Sequence, residues 1–354
     1  MKTWLQWVLS HSRILHNLWN SSAYRNYALN ACERKVGKSI LRSTPLVLQL
    51  ELTTTCNLKC ATCGHSHWDQ KLNPSRYLDL SVLDDLTKLY ASCSEVLIGG
   101  YGEPTLHPQF EEIIARIRED PYKKLSLISN GLLLEKNWSA ISTLDLLILS
   151  LDGVGEVYEK HRGVPFSKLL EALDFFTRHR EKTGLHINMV WNRDTHDSLR
   201  DSLRVLEKYP VEVIHLLPEK HYSSSRFDVG LFHLNNLDQL HLEIIKIQNE
   251  TKILLQYPDF LSASVPCYQP FESIFVLASG EIMACCSAIF QGNDYRFSLG
   301  QVSDLKNSWH KLWNQEKLIQ FRKAHFGKEE YPSPCNTCAF RIIRQEALER
   351  PLNG

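Results

Sequence analysis

The sequence predicts an α/β fold, a partial (β/α)6 barrel carrying a small, metal-stabilised C-terminal domain. Three observations predict it. Between about residues 45 and 220, short β-like runs alternate with longer helical stretches, the rhythm of βαβ units around a parallel sheet. Each of the first four runs ends in a cysteine, glycine or polar motif, at the strand ends where such folds keep their chemistry. The ten cysteines are clustered, with three inside residues 56–63 and others gathered after residue 266.

Residues 1–45 carry seven Lys or Arg and a single acid, Glu33. Trp4, Val8, His11, Leu15 and Leu18 recur at alternating steps of four and three, which places them on one face of a basic amphipathic helix. Such a helix packs on the domain that follows or rests on an anionic membrane surface, and packing is the commoner fate. Strands are predicted at 47–52, 95–98, 124–128, 146–151, 186–191 and 211–217, and helices between them at 81–92, 109–118, 167–180 and 198–208. Six such units make a partial barrel or an open doubly wound sheet. A link rich in His, Ser and Asn at 221–236 leads to a helix at 237–249, and the remainder holds no further βα repeat. The expected domains are therefore 1–45, 46–235 and 236–354.

Composition narrows the class. With 40 basic and 40 acidic side chains the chain has no net charge, so it lacks the overall field of a general nucleic-acid binder. The stretch from Trp4 to Leu9 is too short, and too interrupted by Gln6, for a secretory signal. No run of about 18 apolar residues is present, so no transmembrane helix is expected and the chain reads as cytoplasmic. In a chain of this size, cysteine clusters point to metal rather than to a disulfide scaffold.

Cys56-x3-Cys60-x2-Cys63 follows the first strand. Three thiolates this close suit zinc or iron-sulfur, and spacing alone leaves both open; zinc would take a fourth ligand from His65 or His67. Glycines in Gly99-Gly100-Tyr101-Gly102-Glu103-Pro104 allow close backbone approach, and Glu103 can accept from an ammonium. Ser129-Asn130-Gly131 and Ser150-Leu151-Asp152-Gly153 close the third and fourth strands, and Arg162 follows in His161-Arg162-Gly163. Taken singly, these are turn residues, a helix cap and a surface ion pair.

Together, at successive strand ends, these motifs resemble those of the radical S-adenosylmethionine (SAM) enzymes over residues 47 to about 220. The resemblance implies a four-iron, four-sulfur cluster on Cys56, Cys60 and Cys63. Its open iron would be chelated by SAM, and reductive cleavage would give a 5′-deoxyadenosyl radical that takes hydrogen from substrate. It further implies SAM contacts from Gly100, Gly102, Glu103, Ser129, Asn130, Ser150, Asp152 and Arg162, and a reducing donor such as flavodoxin or ferredoxin. Thr62 stands where the family often has an aromatic residue, a departure from the family pattern at the position of the usual adenine contact.

The second group runs Cys267-x12-Gly280-x4-Cys285, then Cys335-x2-Cys338. Spacing alone fits a zinc ribbon as well as iron. Beside the first cluster it resembles the Twitch domain, a shortened SPASM domain, which implies one auxiliary four-iron cluster on Cys267, Cys285, Cys335 and Cys338 and makes the C-terminal part an iron-sulfur domain. Cys32 and Cys93 read as small buried hydrophobes. Cys286 reads as packing, an alternative ligand or a hydrogen donor to a substrate radical. The mouth of the barrel should receive His65, His67, Trp68, Asn192, Arg193, Asp194, Glu219, His221 and Tyr222, about half of them as solvated loop residues. A polar mouth favours a small polar substrate, and oxidation of a sugar or aminocyclitol alcohol leads; epimerisation, peptide maturation and a non-catalytic zinc scaffold are the alternatives.

Overall fold

The computed structural model describes residues 22–67, 75–90, 93–120, 123–219, 237–257, 267–285, 298–305, 309–327 and 330–331. The expected amphipathic helix at 4–18 lies outside them, as do Trp68, His221, Tyr222, Cys286, Cys335 and Cys338. Helices in chain order are α1 (Ser22–Lys35), α2 (Leu80–Tyr90), α3 (Phe110–Arg118), α4 (Trp138–Ile141), α5 (Glu156–Arg162), α6 (Phe166–His179), α7 (Arg193–Asp197), α8 (Leu199–Leu206), α9 (Leu237–Asn249), α10 (Gln269–Glu272), α11 (Trp309–Trp313) and α12 (Glu316–His325). Strands are β1 (Val47–Leu50), β2 (Glu95–Ile98), β3 (Lys124–Ser129), β4 (Leu146–Ser150), β5 (Gly184–Trp191), β6 (Val211–Pro218), β7 (Leu254–Gln256), β8 (Ser273–Val276), β9 (Glu281–Met283) and β10 (Ser298–Gln301). The first six strands and the α9 helix coincide closely with those predicted.

These strands form one open sheet in the order β10-β9-β8-β1-β2-β3-β4-β5-β6-β7, with β1 through β6 parallel in sequence order, as a partial barrel requires. Alternation fixes the two faces. In β5, Leu185, Ile187, Met189 and Trp191 are buried while His186, Asn188 and Val190 on the other face are half-buried. The buried face meets helices whose apolar residues recur every three or four positions: Phe110, Ile113, Ile114 and Ile117 on α3, and Leu169, Ala172, Leu173 and Phe176 on α6. The inner face of β4 to β6 carries Ser150, His186, Asn188 and His215. Ser150 stands in register with Asn188, and Asn188 with His215.

Two features depart from the sequence reading. The C-terminal segment extends the core sheet, since β8 pairs parallel with β1, register Val47↔Ser273, and the β8–β9 hairpin turns back from there. Its strands of three and four residues are too short for a period-2 signal. Helix α1 turns a polar side inward: Asn26, Asn30 and Glu33 are buried. Asn26 Oδ1 accepts from the Thr44 amide, Asn30 Nδ2 donates to the Phe271 carbonyl, and Glu33 accepts from the amides of Arg42 and Ser43. Cys32, expected to be buried, lies on the opposite side of this helix and is exposed, whereas Cys93 is fully buried as expected. Arg34 pairs with Glu272, so the start of the described chain is tied to α10.

Candidate active site

The cysteine loop follows β1 and is fastened to the loops after β2 and β3 and to helix α5. The Glu103 amide donates to the Thr55 carbonyl at 2.8 Å, Asn130 Nδ2 to Asn57 Oδ1 at 2.8 Å, and the Ala61 amide to the His161 carbonyl at 2.9 Å. The approach of the second loop to the first demands glycine: a Cβ on Gly102 would stand 2.2 Å from the Thr53 carbonyl oxygen and 2.6 Å from that of Thr55.

Each sulfur of the triplet has an N–H aimed at it. The Leu58 amide lies 3.5 Å from Cys56 Sγ, the His65 amide 3.4 Å from Cys63 Sγ, and Arg162 Nη1 3.7 Å from Cys60 Sγ. Burial pushes the Cys56 thiol up to about 11 and raises Cys63 as well. Thiolates here therefore need the positive charge of a metal centre to persist. His65 is engaged elsewhere, its Nε2 lying 2.8 Å from the Thr54 carbonyl oxygen. Among the described residues, no three His, Cys, Asp or Glu are placed to grip one metal ion. A cluster that gives each cysteine its own iron does not require such convergence.

Glu103 proves to be an organiser of the loops. It is buried, Oε1 accepts from Thr105 N, Thr105 Oγ1 and Ser129 Oγ, and Oε2 accepts from the Asn130 amide at 2.8 Å. Burial raises its carboxyl above the usual range, and the Asn130, Thr105 and Ser129 donors oppose that rise. Asn130 is equally occupied, since its Oδ1 accepts from the Leu132 amide. Asp152, closing β4, accepts from the Val190 amide through Oδ1 at 2.7 Å, and its Oδ2 lies 2.8 Å from Arg162 Nε. That charge contact is too oblique for a hydrogen bond, so both atoms retain bonding capacity. Burial alone would lower the Arg162 guanidinium, but Asp152 and Cys60 outweigh it and hold it charged. Thr62 and Ser150 are half-buried beside these groups in sequence, at the cysteine loop and the end of β4. Two further hydroxyls, Thr55 Oγ1 and Tyr158 Oη, are buried without a hydrogen-bond partner among the described residues, and Tyr158 feels the charges of Arg162, Cys60 and Asp152. Unspent donors around three cysteines suit a group rich in acceptor sulfur and oxygen.

Two family models match this chain. One, the radical SAM superfamily, covers residues 50–206, and the other, an iron-sulfur cluster-binding domain of SPASM type, covers 267–339. The chain belongs to the radical SAM superfamily. A relative in Pyrococcus furiosus, a tungsten-containing aldehyde ferredoxin oxidoreductase cofactor-modifying protein, is 25% identical over 325 residues, 83% of this chain and 87% of that protein. Streptococcus suis SuiB, solved with S-adenosylmethionine, shares the fold with a TM-score of 0.64 at 14% identity, covering 88% of this chain and 74% of SuiB. The anSMEcpe structure with AdoMet and the Cp18Cys peptide gives 0.60 at 21% identity, covering 85% and 88%. The protein is thus a radical SAM enzyme whose cofactors are SAM, a SAM-binding four-iron cluster and an auxiliary cluster. This membership displaces the zinc-scaffold alternative.

The remaining predicted residues divide. Cys267 immediately precedes Tyr268 and α10, and Cys285 follows β9. The antiparallel register Phe275↔Met283 carries the chain at Cys285 back toward the start of β8, the end that α10 and Cys267 lead into. Asn192 caps α7 by accepting from the Thr195 amide, and Asp194 pairs with Lys160 at 2.5 Å and His161 at 3.2 Å. Arg193 is exposed and Glu219 half-buried. Sequence reading missed Glu51, His186 and His215, which lie on the inner face; period-2 alternation within the predicted strands was the signal that could have found them. Among the described residues no helix is long and apolar enough to cross a membrane.

Proposed function

We propose that this radical SAM enzyme oxidises an alcohol carbon of a small polar substrate, a sugar or aminocyclitol being the class that fits best. One observation carries the reading: the inner face beside the SAM-loop strands is polar, with Ser150, Asn188 and His215 in one row and His186 bonded to His215. Hydroxyls of a polyol find donors and acceptors there, whereas a lipid chain would strand them unpaired. The relative that aligns along nearly its whole length is named for modifying a cofactor, which also accords with a small polar substrate.

The residues take separate roles. Cys56, Cys60 and Cys63 would hold the first cluster, with Gly100, Gly102, Glu103, Ser129, Asn130, Ser150, Asp152 and Arg162 shaping the SAM site and Thr62 beside it. Cys267, Cys285, Cys335 and Cys338 would hold the auxiliary cluster. When bound, these groups supply a 5′-deoxyadenosyl radical to take the carbinol hydrogen and an acceptor for the second electron. Glu103 and Asn130 lock the loops, and Arg162 offers a guanidinium fork to a carboxylate. Flavodoxin or ferredoxin is the proposed source of the reducing electron.

The test is anaerobic reconstitution followed by 5′-deoxyadenosine measurement across a panel of sugars and aminocyclitols deuterated at the carbinol carbon. Deuterium in 5′-deoxyadenosine together with a new carbonyl supports the reading. Solvent deuterium on carbon with no carbonyl would replace it with epimerisation, with Cys286 as donor. The solved relative anSMEcpe was crystallised with a peptide, a likeness that speaks for the fold alone, so peptides form the competing arm. About eight irons per chain fits two four-iron clusters, and about four would remove the auxiliary one.

A further inference from the structure

Glu51 lies one residue beyond β1, is 2% exposed, and belongs to no family motif named above. Its two carboxylate oxygens serve two distant parts of the chain. Oε1 accepts from the Tyr101 amide at 2.9 Å, inside the glycine loop, and Oε2 accepts from the Ala278 amide at 3.1 Å, in the turn of the β8–β9 hairpin. The loop is pressed against this side chain, since a Cβ on Gly100 would stand 2.6 Å from Glu51 Cγ and Oε1. The hairpin turn is itself fixed, by Gly280 N to the Leu277 carbonyl and Val302 N to the Gly280 carbonyl. From that turn β9 leads directly to Cys285.

We propose that Glu51 is a positioning residue that couples the SAM-binding glycine loop to the C-terminal iron-sulfur segment. One buried carboxylate with two backbone partners cannot follow one of them without moving relative to the other. A shift of the hairpin is therefore felt at Tyr101, and SAM bound against the glycine loop is felt at Ala278. Burial raises this carboxyl, and the Tyr101 and Ala278 amides oppose it; no charged side chain among the described residues contributes. No competing side-chain cation takes its oxygens among the described residues.

The inference rests on Gly99 to Glu103 being the SAM loop, and the experiment separates the two claims. Amide hydrogen exchange is followed on the full reconstituted chain with and without SAM. Slowed exchange at Tyr101 tests the loop assignment; slowed exchange at Ala278, 177 residues further along, tests the coupling. Protection of Tyr101 with none at Ala278 overturns the proposal, and protection of neither overturns the assignment on which it rests. In E51Q one amide N–H faces an NH2 group instead of an oxygen, so SAM affinity should fall about tenfold. The Ala278 response should vanish while the iron content stays that of wild type. An E51Q protein that binds SAM within about twofold of wild type and keeps the Ala278 response would also overturn it. Should E51Q fail to fold, the wild-type exchange experiment still decides.

Discussion

His186 Nδ1 on β5 lies 3.0 Å from His215 Nε2 on β6, a direct imidazole pair across neighbouring strands of the inner face. One ring must donate and the other accept, so a doubly protonated pair cannot keep the bond. Burial lowers both rings below the usual histidine range. At His186 Glu212 pulls up and Lys124 pushes down, while at His215 the His186 ring and Lys124 push down and Gln256 pulls up.

The sign of the pH effect follows. A folded-state value below about 6.5 means that the unfolded chain binds protons first as pH falls, so stability held above that pH is lost beneath it. H215L should cost about 1 kcal/mol at pH 7.5 by removing the bond. The gap between wild type and variant should narrow toward pH 5, measured by urea unfolding at each pH. A constant gap would mean that the pair does not titrate as a unit.

Glu51 gives the opposite sign. Burial raises its carboxyl from 4.5 to about 7, against the pull of the Tyr101 and Ala278 amides. Between those values the folded protein holds a proton that the unfolded chain has released, so this group's stabilisation is full below about 4.5 and is lost as pH rises through 7. Wild type should therefore lose stability relative to E51Q across that window, and parallel unfolding-midpoint profiles for the two would contradict it.

Much of this architecture could be read from the residues because buried parallel strands and amphipathic helices write their periods plainly. Val96 and Ile98, or Leu147 and Leu149, are apolar because they face helices, and the cysteine, glycine and SNG motifs mark the strand ends. What stayed hidden depends on long-range pairing. Nothing local announces that Val47 pairs with Ser273, or that the buried face of α1 is made of Asn26, Asn30 and Glu33. Glu103 reads as a ligand for an ammonium, yet its oxygens already receive four donors from Thr105, Ser129 and Asn130. Buried polar networks of this kind reveal themselves only when the partners meet.

Arg322 shows the same dependence. It is fully buried on α12, with Nε donating to the Pro270 carbonyl and Nη1 to the carbonyl of Ser39 and to Asn314 Oδ1, and its guanidinium sits 4.4 Å over the Trp313 ring. Burial pulls it down to about 9, with Glu33 opposing. R322M removes a costly charge but leaves the Pro270 and Ser39 carbonyls without their donor, so a net loss of about 2 to 4 kcal/mol is expected. Denaturant unfolding measures it, and a neutral result would show that water replaces the guanidinium.

Gly102→Ala should be more damaging than its size suggests. The new methyl meets two backbone oxygens, which cannot rotate away as a side chain would. Either the glycine loop lifts from Thr53 and Thr55 or the cysteine loop shifts, at a cost of about 3 kcal/mol. Because Thr55 adjoins Cys56, iron retained after anaerobic reconstitution should fall along with SAM binding. Full iron content with weakened SAM binding would show that the glycine loop alone yields.

Arg162 joins these effects at one side chain, and the order of its losses is informative. R162M leaves Asp152, which is 1% exposed, without its cation, and breaking a buried pair costs about 3 to 5 kcal/mol. R162K keeps the charge but loses the fork that spans Asp152 and Cys60, so it should fold better than R162M while binding SAM poorly. Adding D152N to R162M removes the stranded charge, and the double variant should regain part of the lost stability without regaining SAM affinity. If SAM affinity also returned, Arg162 would matter only as Asp152's partner, and the carboxylate contact assigned to it would have to be given to another residue.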